Sequence, residues 1–292
     1  MNAILQDLST SNLVTAIEEN LFSLMPAFRK WPQAEVHDEV DIKWSMTDVP
    51  FPLFNSIMRA QLAPEKIDAT IQSIVSAAHS RNVPLLWWTG PSTQPADLGR
   101  HLEAYGFVNE GQMPGMAVNL ANLNENLPML RGLTVQRVTD DETLKQWSQI
   151  CAVGFEMPAF VADAIYDSMR YADLDTDLAY LGWQNGQPVA AALAKLVAGV
   201  AGIYNVVTMP EARRQGIGTA MTLRSLRDAQ DRNYKIGILM ASEMGEGVYR
   251  SLGFQEYCKI GQYVWSPEHK QDAGYRLTAV SRDKRQEDQK EQ

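Results

Sequence analysis

Positive charge is scarce in this chain. Only 26 Lys and Arg stand against 35 Asp and Glu, a formal net charge of −9 over 292 residues. Affinity for nucleic acids or anionic membranes draws on a surplus of Lys and Arg, so neither partner is expected. An anionic ligand must then be met by a local device. Cysteine is scarcer still: Cys151 and Cys258 are the only two. Two such distant thiols form neither a disulfide framework nor a metal-ligand set, so no metal is expected and both thiols are read as buried in a reducing compartment. No apolar run approaches the length of a membrane span, and the start of the chain lacks a basic stretch followed by an apolar core. These absences predict a soluble, cytoplasmic protein.

Hydrophobic content is ordinary at 45%, enough for real cores, and the length exceeds what one compact core usually organises. The C-terminal half reads clearly. "LTVQRV" (133–138) has the pattern of a strand, and "TDDETLKQWSQICAVGF" that of a helix opened by a Thr or Asp cap. Asn185-Gly186 between "LAYLGWQ" and "QPVAAALAKLV" predicts a tight hairpin, because both residues tolerate positive φ. "VAGIYNVVTM" (200–209) is a further strand, followed by a helix over 216–231, a strand over 235–241, a short helix over 245–252 and a last strand over 254–265. This order implies α/β architecture of the α+β type: mixed, mostly antiparallel sheet flanked by helices.

The N-terminal half echoes the second part of that order. A helix over 64–82 ends in Arg-Asn before the strand "VPLLWWT", as the later helix ends in "DRN" before "YKIGILMA". "LGRHLEAYGFVNEGQMPGMAVNL" parallels "EGVYRSLGFQEYCKIGQYVWS", each with a short helix, Gly-Phe and a strand interrupted by Gly. Four features in one order indicate a duplicated domain. The boundary falls in "ANLNENLPMLRG" (121–132), which gives a first domain over 1–125, a second over 126–270, and a charged tail over 271–292 that is expected to fray.

One segment is arranged for a ligand. "TMPEARRQGIGTAM" (208–221) leaves a strand, passes two arginines and two glycines, and enters a helix. Glycine lets several backbone N–H groups turn to one side, and the amides at a helix start have no intrahelical partner. With the helix dipole they form an anion site that suits a pyrophosphate, and Arg213 and Arg214 add charge-assisted donors. The plainer alternative is a glycine turn with two solvated arginines. A dinucleotide fingerprint would need a third glycine and a downstream acid, and a P-loop would need Gly-Lys-Ser/Thr.

"VVTMPEARRQGIGTAM" resembles the acetyl-CoA-binding motif of the GNAT superfamily of N-acetyltransferases through Arg213, Gly216 and Gly218. "VYRSLGF" resembles the superfamily's second signature through Tyr249, Gly253 and Phe254. The resemblance covers about residues 133–266 and implies two GNAT-like domains in tandem. It implies direct acetyl transfer from acetyl-CoA to an amine, without a covalent enzyme intermediate. Val206, Val207 and Thr208 would pair with the pantetheine arm, and Arg214, Gln215, Gly216, Ile217, Gly218 and Thr219 would hold the pyrophosphate. Tyr249 would be the general acid for the departing thiolate; its plainer role is a half-buried ring.

The first half departs from this pattern where chemistry would live. "RAQLAPEKIDAT" stands in place of the cradle, and Leu102 stands four residues before Gly106, as Tyr249 does before Gly253. The first half is therefore expected to be degenerate and to wall the acceptor side, with Trp87 and Trp88 in strand core. Many relatives carry a Glu on the strand before the motif, where this chain offers Asn205. The base is left unassigned, with Glu243 as the candidate and Glu156 as another loop acid. Phe155, Met157, Phe160 and Tyr171 could line an apolar acceptor pocket. The reading is an N-acetyltransferase acting on a small-molecule or peptide amine, as a monomer or homodimer. The rival is a CoA-binding sensor or scaffold without transferase activity.

Overall fold

The computed structural model describes residues 4–124, 130 and 132–267. The tail 271–292 lies outside the described residues, as do 125–129 and 131 of the inter-half linker. The helices are α1 (Thr10–Phe22), α2 (Ile67–Arg81), α3 (Leu98–Ala104), α4 (Asp141–Gly154), α5 (Phe160–Met169), α6 (Ile217–Asp231) and α7 (Glu243–Ser251). The first half supplies β1 (Glu35–Asp38), β2 (Ile42–Met46), β3 (Ser56–Ala60), β4 (Leu85–Thr89) and β5 (Val108–Asn119). The second half supplies β6 (Leu133–Arg137), β7 (Asp177–Gln184), β8 (Gln187–Val197), β9 (Val200–Thr208), β10 (Ile236–Met240) and β11 (Gln255–Trp265).

These strands form one mixed sheet in the order β1-β2-β3-β4-β11-β5-β10-β9-β8-β7-β6. The expected sheet flanked by helices is present, mostly antiparallel, with parallel pairing of β3 with β4 and of β9 with β10. The order reads the same from the middle outwards once β3, β4 and β5 are exchanged for β9, β10 and β11. The last strands have traded places. β11 pairs with β4 through Gly261↔Thr89, and β5 pairs with β10 through Ile238↔Ala117. A line drawn between residues 125 and 126 therefore does not separate two sheets, because each half closes its sheet with the other half's final strand.

Local chemistry explains the elements that were legible. Asp140 caps α4 by accepting from the Thr143 amide at 2.8 Å, worth about 1 kcal/mol. Asn185 and Gly186 take φ of 52° and 76°, the paired positive values that the β7–β8 turn requires. The repeat is visible at single residues. Asn82 and Asn233, which follow α2 and α6, both adopt left-handed φ. Phe107 N–H donates to the Leu102 carbonyl and Phe254 N–H to the Tyr249 carbonyl, each at 3.1 Å. Leu102 thus occupies the structural position of Tyr249.

Alternation along the strands fills two layers. Ala117, Ile236 and Ile238 pack under α1, while their neighbours Met116, Val118 and Leu239 pack in the core under α6. α4 and α5 share the α1 face, and α2 and α3 lie opposite, over Leu85 and Trp87. Trp88 joins α1, Val200 and Ile236 in a core that belongs to both halves. The sequence pattern left the first sixty residues unassigned, and α1 is the main element found there.

Candidate functional site

The site lies where β9 and β10 part. Their parallel ladder comprises only Ala201↔Gly237 and Gly202↔Ile238. Past that point β9 carries a bulge: Ala191 faces Val207 and Leu193 faces Tyr204, so two residues of β9, Asn205 and Val206, stand opposite Ala192 alone. Asn205 takes φ of 51°, a conformation that Asn tolerates better than most residues. The bulge bends β9 locally, and β10 continues along β5 as far as Met240↔Gly115. A V-shaped slot results, with strand edge on one arm.

The glycine turn closes the end of this slot. Arg214 and Gly216 take φ of 62° and 82°, and Gly216 is the residue before α6. Ala220 makes the first α6 bond, to the Gly216 carbonyl, so the amides of Ile217, Gly218 and Thr219 have no partner within the helix. Gly218 faces Val206: a Cβ added there would stand 3.8 Å from Val206 Cγ1. Val206 and Val207 project to opposite faces, Val206 against the α6 core and Val207 into the α4 core. Ile217 is buried and anchors the helix start, whereas Arg214, Gln215 and Gly216 are exposed. Gln215 accepts from Gln184 Nε2 at 3.2 Å.

Arg213 is placed differently from the phosphate grip read from the sequence. Its Nε donates to the Thr208 carbonyl at 3.1 Å and its Nη2 to the Gly154 carbonyl at 2.9 Å. Its Nη1 lies 3.7 Å from Glu156. The guanidinium clasps the end of β9 to the end of α4, whereas Arg214 is exposed at the turn. Glu156 is thereby engaged with Arg213, at a left-handed φ of 57° just past α4.

Tyr249 lies on α7, half-buried against the α6 core, with its ring 5.9 Å from Phe254 in an edge-on arrangement. Burial pushes its phenol up to about 12, so it is protonated at neutral pH and able to donate. Glu243 is exposed in the first turn of α7, behind the Ser242 cap, where a carboxylate complements the helix dipole. Phe155, Met157, Phe160 and Tyr171 do not form one pocket. Phe155 packs in the α4 core, Met157 joins the cluster of Trp31, Phe51, Phe54 and Val161, and Phe160 and Tyr171 are exposed. That last cluster presses first-half side chains against α5. Among the described residues, no group of three or more His, Cys, Asp or Glu is placed to hold a metal, and no helix is long and apolar enough to cross a membrane. A depression beside Arg29, Ala34, Val36 and Asp38 lies at the far edge of the sheet, by β1, remote from the slot.

The first half has the matching fork. β3 and β4 pair only at Ser56↔Leu86 and Ile57↔Trp87. There the loop after β4 turns back into the gap. Gln94 N–H donates to the Ala60 carbonyl at 3.0 Å, and Leu62 N–H donates to the Gln94 carbonyl at 2.9 Å. Gln61 Nε2 adds a bond to the Ser92 carbonyl. The loop itself is held from α1, where Glu18 accepts from Ser92 N–H at 2.9 Å and from Ser92 Oγ at 2.8 Å. The edge that stands free on β9 among the described residues is occupied on β3 by the chain's own backbone.

Residues 135–257 match the family profile of the acetyltransferase (GNAT) domain. Among solved structures, a GCN5-related N-acetyltransferase from Kribbella flavida superposes with a TM-score of 0.67 at 19% identity, over 87% of this chain and 96% of that one. A tandem GNAT protein from the clavulanic acid biosynthesis pathway gives 0.56 at 12% identity, over 91% and 98%. A GCN5-related N-acetyltransferase from Sphaerobacter thermophilus gives 0.56 at 13% identity, over 89% and 92%. No curated protein sequence matches the chain. The slot and glycine turn thus fall inside the segment that is similar to the GNAT acetyltransferase domain, within an overall fold shared with GCN5-related N-acetyltransferases.

Proposed function

We propose that the second half transfers an acetyl group from acetyl-CoA to the primary amine of a small molecule or peptide. The observation that carries this reading is the open β9/β10 fork ending at the unpartnered amides of Ile217, Gly218 and Thr219. An extended pantetheine arm fits against the edge of β9 from Val206 to Thr208, and a pyrophosphate fits the amides and Arg214. The amine nitrogen attacks the thioester carbonyl carbon, the C–S bond breaks, and the sulfur takes a proton from Tyr249. The proton lost by the amine passes to water or to a carboxylate, with Glu243 as the candidate. On this reading the first half binds no CoA, because its fork is filled, and it serves as a wall on the acceptor side.

The alternative, a CoA-binding protein without transferase activity, is favoured by one observation: β9 offers Asn205 where a strand carboxylate would stand. One experiment separates the two. Thiol release from acetyl-CoA against a panel of amines is expected to proceed in the native protein. It is expected to fall about 10- to 100-fold in Tyr249→Phe, with the Kd for acetyl-CoA nearly unchanged. Tight acetyl-CoA binding without thiol release for any amine favours the alternative, and unchanged turnover in Tyr249→Phe removes that residue from the mechanism.

A further inference from the structure

α1 belongs to the first half, yet Asn20 near its end is fully buried against the second. Its Nδ2 donates to the carbonyls of Lys195 at 3.2 Å and Val197 at 2.8 Å, and its Oδ1 accepts from the Tyr204 hydroxyl at 2.8 Å. The carboxamide fits because Gly202 has no side chain; a Cβ there would collide with Asn20 Oδ1 and stand 2.6 Å from Tyr204 Cε2. Gly202 is also the last residue of β9 paired with β10, and Tyr204 is the last before the bulge at Asn205 and Val206. The buried Asn20 and Gly202 and the half-buried Tyr204 therefore meet at the vertex of the fork. The Tyr204 ring folds back over Gly202 toward α1, away from the open end of the slot.

We infer that Asn20 is a positioning residue for the second half's slot, contributed in cis by the first half. By holding Tyr204 over Gly202 it fixes where β9 leaves β10 and keeps a large ring out of the path of the acyl-pantetheine. This rests on the reading that the slot takes acetyl-CoA. Asn20 touches no reacting atom; it acts through Tyr204 and the bulge. A preformed strand edge binds an extended ligand without first having to order itself, so loosening the vertex weakens binding.

Calorimetric titration of the full-length protein with acetyl-CoA, alongside thermal unfolding of the unliganded protein, tests this. Tyr204→Phe removes only the hydroxyl and is expected to weaken acetyl-CoA binding about 3- to 10-fold, the scale of one internal hydrogen bond. Asn20→Ala is expected to weaken it at least as much, and the double variant no more than Asn20→Ala alone, because the two residues share one bond. Tyr180→Phe is the control. It likewise removes one hydroxyl from a buried tyrosine, here on the opposite face of the sheet, where it donates to Asp228 Oδ2 at 2.9 Å near the far end of α6. It should lower thermal stability and leave the Kd unchanged. If Asn20→Ala does not fold, Tyr204→Phe decides alone. An unchanged Kd in Tyr204→Phe overturns the inference, as does an equal weakening in Tyr180→Phe. Absence of acetyl-CoA binding in the native protein overturns the functional reading instead, so the two failures are distinct.

Discussion

At the scale of single residues, the two polar groups that α1 buries do different work. Asn20 is neutral and fully bonded. Glu18 carries a carboxyl into the interior, and burial raises its pKa above the ordinary 4.5, outweighing the two bonds from Ser92. A raised carboxyl holds its proton more tightly in the folded state. Its cost to stability is therefore absent below about pH 4.5 and develops as the pH rises through the folded value. Glu18→Gln keeps an acceptor for Ser92 and removes the buried charge. It is expected to raise the unfolding midpoint by roughly 1–3 °C at pH 7, with the gain vanishing toward pH 4. A midpoint lowered at pH 7 would show that the charge itself holds the loop. Tyr249 has the opposite bearing on activity. With its phenol pushed up to about 12, no alkaline limb of the rate profile between pH 7 and 9.5 is assigned to it. A limb in that range that disappears in Tyr249→Phe would contradict this.

At the scale of elements, the two forks share a ladder length and differ in the course of the chain beyond it. β9 bulges and stays open, whereas β3 is met by Gln94. The expected consequence is a stoichiometry: titration of the full-length protein with CoA should saturate at one equivalent per chain. Two equivalents of comparable affinity would mean that the 90–94 loop leaves its place. Much of this level was legible in the sequence, because it is written locally. Asn185-Gly186, Asp140, the paired Gly-Phe motifs and the glycine turn each state a backbone requirement through residue type. Leu102 at the Tyr249 position was readable for the same reason. The plug was not, since "GPSTQP" reads as an ordinary loop and its bonds to Ala60 and Leu62 depend on β3, a five-residue strand without a distinctive pattern. The bonds of Arg213 to the Thr208 and Gly154 carbonyls were not legible either, because a guanidinium beside a glycine turn carries no mark of which backbone oxygens it meets. Asn205 was noticed for the carboxylate it replaces, while its tolerance of positive φ is what the bulge uses.

At the scale of the molecule, the exchange of β5 and β11 decides how the halves depend on each other. Pairing partners between two long strands of similar pattern are set by tertiary context, so periodicity could place both strands and still not show the trade. A protease site inserted between residues 125 and 131 tests the consequence. After cleavage the fragments are expected to remain together in native size-exclusion chromatography, and the second half expressed alone is expected to aggregate through the uncovered edges of β10 and β11. Clean separation into two folded fragments would contradict the exchange. The same feature also orders events during synthesis. β4 and β5 leave the ribosome early, but the strand that lies between them is the last to be made. For most of translation the nascent first half carries two open edges, so completion of its sheet, and with it the closing of the β4 and β5 edges, waits for the final described strand to emerge.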